Sequence, residues 1–214
     1  MKKVAVPLTQ LYKKLYKDFG PQHWWPGQSA FEVMVGAILT QNTNWQNVEK
    51  AITNLKKRKV LSFKKMFSLP ENKLAALIRP AGYYNIKARR LKNFLRYLAE
   101  NYSGNLAKMR QRATPGLRQE LLSVNGIGPE TADSILLYGL NRPVFVIDAY
   151  TKRILQRHKF ITGKADYHQA QGLFTRALKK DVKLFNEYHA LLVKLAKDFC
   201  LKNKPRCQIC PINS

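Results

Sequence analysis

The sequence predicts an all-α fold on three observations. Apolar residues recur with a helical period, no stretch sustains the alternation of a half-buried strand, and short breaks separate the periodic segments. The chain has 214 residues and is 45% hydrophobic, enough to bury one substantial core or two small lobes and too apolar for a disordered basic tail.

In chain order, helices are expected near Leu8–Phe19, Ala30–Leu39, Trp45–Lys56, Ser62–Ser68, Glu71–Ile78, Ile86–Asn101 and Pro115–Ser123. Others follow near Pro129–Tyr138, Ala149–His158, Tyr167–Lys180 and Val182–Phe199. The punctuation comes from Pro21, Pro26-Gly27, Pro80-Ala81-Gly82, Gly126-Ile127-Gly128 and Asn141-Arg142-Pro143. No repeat, long linker or low-complexity tract interrupts the series.

Lys and Arg number 38 against 13 Asp and Glu, a formal charge of +25. A folded chain so unbalanced repels itself unless a polyanion lies against it, so nucleic acid is the expected partner. The start, Met1 to Pro7, carries charge but no apolar signal core. The run Phe31 to Leu39 is too short to span a bilayer and contains Glu32. The expectation is an intracellular protein of the cytoplasm, associated with the nucleoid and not with a membrane.

The most informative segment is Leu121-Leu122-Ser123-Val124-Asn125-Gly126-Ile127-Gly128-Pro129-Glu130-Thr131-Ala132. Glycines permit backbone angles closed to other residues and let a ligand approach the main chain. Ile127 can pin the turn, and Pro129 suits the first position of a new helix. The N–H groups at that helix start, aided by the helix dipole, suit a phosphate and read no base. A plain helix-loop-helix turn would share the Gly-x-Gly, but not the apolar frame and the following Thr131-Ala132. With these features the chain resembles the helix-hairpin-helix (HhH-GPD) DNA glycosylases, specifically their endonuclease III branch.

The stretch Val144-Phe145-Val146-Ile147-Asp148-Ala149 places Asp148 at a helix start, where a cap is the simplest role. The resemblance adds another, because the family keeps its catalytic Asp just after the hairpin in such a setting. Breaking an N-glycosidic bond leaves an oxocarbenium-like sugar that a carboxylate stabilises, and the same group can orient or deprotonate water. Strand-cutting relatives carry a Lys two residues after the second hairpin Gly. Here that position is Glu130, which cannot form a Schiff base, so the resemblance implies a monofunctional enzyme.

Further upstream, Trp24-Trp25-Pro26-Gly27 and Thr40-Gln41-Asn42-Thr43-Asn44-Trp45 look like the 3-methyladenine glycosylase subgroup. There a flipped base is held between aromatic rings, mapping onto Trp25 and Trp45, with Trp24 and Pro26 beside them. Indole faces attract a cationic base by ~2 kcal/mol when desolvated. The resemblance also implies that Gln41 fills the hole left in the duplex while Tyr83 wedges the opposite side. Each could instead serve as core or turn residue.

Cys200, Cys207 and Cys210 match three ligands of the family's [4Fe-4S] loop. The fourth ligand is missing, since its position falls five residues beyond Cys210, past Ser214. The resemblance implies a cluster, with zinc or a metal-free basic loop as alternatives. His23, His158, His168 and His189 show no paired metal spacing and receive no role.

The resemblance implies two helical lobes with a DNA-binding cleft between them. Residues 24–137 would form a central bundle ending in the hairpin at about 115–137. Residues 1–23 plus 138–214 would form the second lobe, with the cysteine loop at 200–214. The function expected is excision of a damaged base, an alkylated purine such as 3-methyladenine, from double-stranded DNA by a monomer. Two alternatives stay open: a glycosylase for oxidised pyrimidines or mispaired adenine, and a non-catalytic DNA-binding hairpin module.

Overall fold

A computed structural model describes residues 7–212. Twelve α-helices occur among them: α1 (Leu8–Phe19), α2 (Ala30–Leu39), α3 (Trp45–Lys57), α4 (Phe63–Ser68), α5 (Glu71–Leu77) and α6 (Tyr84–Tyr102). They continue with α7 (Leu106–Gln111), α8 (Thr114–Ser123), α9 (Pro129–Ser134), α10 (Ala149–Arg157), α11 (Tyr167–Ala177) and α12 (Val182–Asp198). The all-α, two-lobed fold read from the sequence is the fold observed, and chain contacts divide it into two compact units.

Trp25–Arg142 forms the larger unit, built around α2. Every residue from Phe31 to Leu39 is buried, so this helix is apolar on all sides because it has no solvent face. Ser29 caps it by accepting a bond from the Glu32 amide at 3.2 Å. Helices α3 and α6 and the segment after α9 pack around it. That last segment departs from expectation: the helix begun at Pro129 widens into a π-helix over Ile135–Gly139. Gly139 lies so close to α2 that a Cβ there would stand 3.1 Å from Met34 Cγ. Helix α7, absent from the sequence reading, is six residues long, buries only Met109 and starts on a cap by Asn105.

The other unit joins the segment up to Trp24 with Pro143 onward. Leu8, Leu11 and Leu15 of α1 are buried, and α1 packs on α12. An aromatic core fills the unit: Phe145 stacks on Phe174 at 3.8 Å, and Phe185 and Tyr188 meet Phe145 edge-on. The Tyr188 hydroxyl donates to the Leu8 carbonyl at 2.8 Å, fixing α12 to the start of α1. Three helices of the unit begin on Asp caps: Asp148, Asp166 and Asp181. Asp166 and Gln169 complete a reciprocal capping box.

Candidate active site and hairpin

Between α8 and α9 the chain turns through Val124 to Gly128. Gly126 sits at φ +94°, open to glycine and strained for other residues, and its missing side chain makes room for a neighbour. A Cβ there would fall 2.3 Å from Cγ of Arg90, which lies across the turn from α6. Ile127 is buried and pins the loop. Arg118 of α8 grips Asp133 of α9 through two bonds at 2.6 and 3.0 Å, holding the hairpin arms together.

Gln41 belongs to this hairpin network. Its amide nitrogen donates to the Gly126 carbonyl and to Thr131 Oγ1, both at 2.9 Å, while Arg90 donates to its amide oxygen. The loop after α2 is thus tied to the turn. An open cavity of about 590 Å³ runs beside them, lined by Gln41, Arg90, Asn125, Gly126, Gly128 and Thr131. Gly128 and Pro129 open α9 without a side-chain cap, and Glu130 is exposed in its first turn.

A second, smaller cavity of about 120 Å³ is lined by Trp25, Pro26 and Trp45, together with Glu32, Glu49 and Lys56. The indoles meet edge to face with centroids 5.1 Å apart, and Trp25 also touches Tyr138. Trp25 can lie along α2 because Gly36 has no side chain; a Cβ there would be 3.2 Å from the ring. Glu32 is nearly buried and pairs with Lys56 at 2.7 Å. Trp24 is half-buried and falls in the other unit.

Asp148 caps α10, its Oδ1 accepting from the Thr151 amide at 2.7 Å. Its Oδ2 lies 3.6 Å from Nε2 of His189 on α12, and both side chains are nearly buried. Burial pushes the carboxyl up, but His189 and the Thr151 bonds outweigh it and hold the group below the usual carboxylate range. A fixed, ionised and largely desolvated carboxylate is suited to stabilising a cation.

A model of the HhH-GPD superfamily of base excision DNA repair proteins matches residues 35–180, a span containing the hairpin and Asp148. The chain belongs to this superfamily. It is 52% identical over 207 residues to a Methanocaldococcus jannaschii protein whose name proposes a DNA repair glycosylase, covering 96% of this chain and 93% of the other. It is 26% identical to Endonuclease III of Thermotoga maritima, covering 95% and 89%. The Helicobacter pylori 3-methyladenine DNA glycosylase MagIII, solved with 1,N6-ethenoadenine, superposes with a TM-score of 0.76 at 28% identity, over 90% of this chain and 98% of that one. As an HhH-GPD protein the chain is a DNA glycosylase of base excision repair, related to both the MagIII and endonuclease III branches.

The iron–sulfur expectation is corrected. Among the described residues no group of three or more His, Cys, Asp or Glu is placed to hold a metal ion. The chain has three cysteines where a [4Fe-4S] cluster takes four thiolates. Cys200 is buried and accepts a bond from Arg157 at 3.3 Å, whereas Cys207 is exposed. Its backbone is gripped too: Arg153 donates to the Cys200 carbonyl at 2.8 Å and Arg157 to that of Leu201 at 2.6 Å. Arginines order the start of this loop.

No helix among the described residues is long and apolar enough to cross a membrane. Sequence reasoning missed His189, because its partner Asp148 lies 41 positions upstream and the pairing arises only where α12 packs on α10. It also missed Arg90, whose sequence context is one more basic residue in a basic chain.

Proposed function

We propose that this glycosylase is monofunctional and removes alkylated, positively charged purines such as 3-methyladenine from double-stranded DNA. The observation that carries the lesion class is the small cavity, which sets two indoles beside the carboxylate of Glu49 and the Glu32–Lys56 ion pair, within a chain of net charge +25. Indole faces and a nearby carboxylate such as that of Glu49 both favour a cationic ring over a neutral one. The two rings now touch edge to face, so a base entering between them parts them first. The likeness to MagIII supports the same assignment.

In this reading the hairpin backbone at Gly126, Ile127 and Gly128, with Thr131, takes a DNA phosphate. Gln41 and Tyr83 occupy the duplex where the base has left. Trp25 and Trp45 hold the extruded base, with Pro26 and Trp24 at the margin. The C1′–N bond breaks with its electron pair leaving on the base, which the base's own positive charge makes easy. Asp148 faces the resulting sugar cation. Water then adds to C1′ and loses its proton to Asp148 or to solvent.

Glu130 stands where an amine would be needed for strand cleavage, so the product is an abasic site. The unit Trp25–Arg142 supplies the base pocket and hairpin, and the unit that includes Pro143 onward supplies Asp148. The enzyme works as a monomer on nucleoid DNA.

The test is excision from duplexes carrying 3-methyladenine, 7-methylguanine, hypoxanthine, thymine glycol, or adenine opposite 8-oxoguanine, each with borohydride trapping. The alkylated purines should be released fastest, with no trapped adduct. Preference for thymine glycol would favour the endonuclease III reading suggested by the Thermotoga relative.

A further inference from the structure

Tyr83 and Ile86 are the two most exposed large apolar side chains of the larger unit, at 68% and 51%. They stand three residues apart where α6 begins, Tyr83 at its left-handed N-cap and Ile86 in its first turn. Burying either would be favourable, and neither is buried, so the fold spends two large apolar groups on solvent at one spot.

The backbone beneath them is built to keep them there. Gly82 and Tyr83 both take positive φ, +69° and +47°. That conformation is costly for a bulky residue and persists only where its surroundings enforce it. Bracing the chain just before these two residues is Lys87, a fully buried lysine of α6. Its ammonium donates to the Ala81 carbonyl at 2.7 Å and to the Leu39 carbonyl at 2.8 Å. One bond fixes the residue before Gly82-Tyr83; the other fixes the end of α2, two residues before Gln41. Burial, then the nearby Arg90, lowers this amine to about 8, and the two carbonyls keep it useful as a donor.

The surroundings are cationic. Arg89 is largely exposed and lies 3.8 Å from Glu71, and Arg79 lies over the Tyr84 ring at 5.9 Å. An apolar tip with arginines nearby matches the chemistry of a duplex, in which apolar base faces lie between phosphates.

We propose that Ile86 is a second wedge residue: it enters the duplex beside Tyr83 and packs against the base step next to the extruded nucleotide, while Lys87 holds the two-pronged turn rigid. This rests on the reading of Tyr83 as a wedge and extends it to a residue and an anchor not otherwise assigned. Tyr83 supplies a stacking face; Ile86 supplies a compact apolar group that keeps the opened step from closing.

The test compares wild type, Ile86→Ser and Ile86→Leu on duplexes with and without a tetrahydrofuran abasic analogue, with 2-aminopurine placed beside that analogue. Because Ile86 is exposed, Ile86→Ser should keep the wild-type melting temperature. Its preference for the abasic analogue over intact duplex should fall about five- to tenfold, as expected for losing one partly buried aliphatic contact. The rise in 2-aminopurine fluorescence on binding should shrink, and Ile86→Leu should restore both. If wild type prefers the analogue and unstacks the probe but Ile86→Ser does so equally, Ile86 is not a wedge while the glycosylase reading stands. If wild type shows no preference and excises no lesion, both the inference and that reading fall.

Discussion

Helices α9 and α10 both begin where an apolar stretch ends, yet their first turns are finished in opposite ways. Gly128 opens α9 with no side chain to cap it, beside an open cavity. Asp148 opens α10 and fills the position itself, one oxygen on the Thr151 amide and the other facing His189. A helix start attracts negative charge in either case. At α9 the first turn carries the exposed Glu130 and no side-chain cap, whereas at α10 the charge is that of Asp148, fixed in place by capping. In the function proposed above, the same physics would supply a phosphate docking point in one unit and the catalytic carboxylate in the other.

The sharpest way to break this comparison is to remove the charge at α10 alone. Asp148→Asn retains an oxygen for the cap but not the carboxylate. Single-turnover excision should drop ~100-fold or more, as when one preorganised stabiliser of a transition state is lost. Binding to undamaged duplex should persist, because the hairpin is untouched. Excision near the wild-type rate would remove Asp148 from the chemistry.

Next in size is the aromatic cavity. Trp25→Ala and Trp45→Ala should each slow excision of the preferred lesion by ~10-fold, within the ~1–3 kcal/mol that base–aromatic stacking contributes. Non-specific binding should change much less. Equal losses in both assays, or a lower melting temperature, would instead make these rings ordinary core.

Gly126→Ala probes the other helix start. The new methyl would demand both a positive φ and displacement of Arg90. A cost of about 1–3 kcal/mol in stability follows from that strain, with weaker DNA binding, whereas Asp148→Asn should leave DNA binding intact. A neutral Gly126→Ala would mean that the turn can reshape, and that its glycine is dispensable.

What the sequence disclosed depended on how local the physics was. Helix α2 was legible to the residue because Ser29 caps it and its apolar run is continuous. The hairpin was legible because its glycines, proline and apolar frame fit within a dozen positions. The π-helical widening at Ile135–Gly139 was not, since nothing in that apolar run distinguishes it from regular helix. Gln41 was read as a residue for the duplex, and its ties to Gly126 and Thr131 lie 85 and 90 positions away. The cysteine spacing suggested a cluster, and Arg157 turned towards Cys200 gave a different environment. Pairings across the fold were invisible wherever one partner, like His189 or Arg90, looked ordinary in its own neighbourhood.

The smallest expected effect concerns His189, and it tests why the charge at α10 stays ionised. Burial alone would raise the Asp148 carboxyl; His189 is the largest influence lowering it. A carboxyl depressed in the folded state contributes stability above its unfolded value, and that contribution is lost as pH falls through the lower folded value. His189→Gln should therefore move the titration of Asp148 upward. The Thr151 bonds still lower the carboxyl in the variant, so excision at neutral pH should change only a few-fold. On the acid side the difference should open: the variant's rate and thermal stability should both begin to fall at higher pH than in wild type. The comparison to make is the acid limb of single-turnover excision for the two proteins, with melting temperatures over the same range. If the limbs coincide, the Thr151 bonds hold Asp148 ionised without help from α12, and the pairing of Asp148 with His189 is a matter of packing.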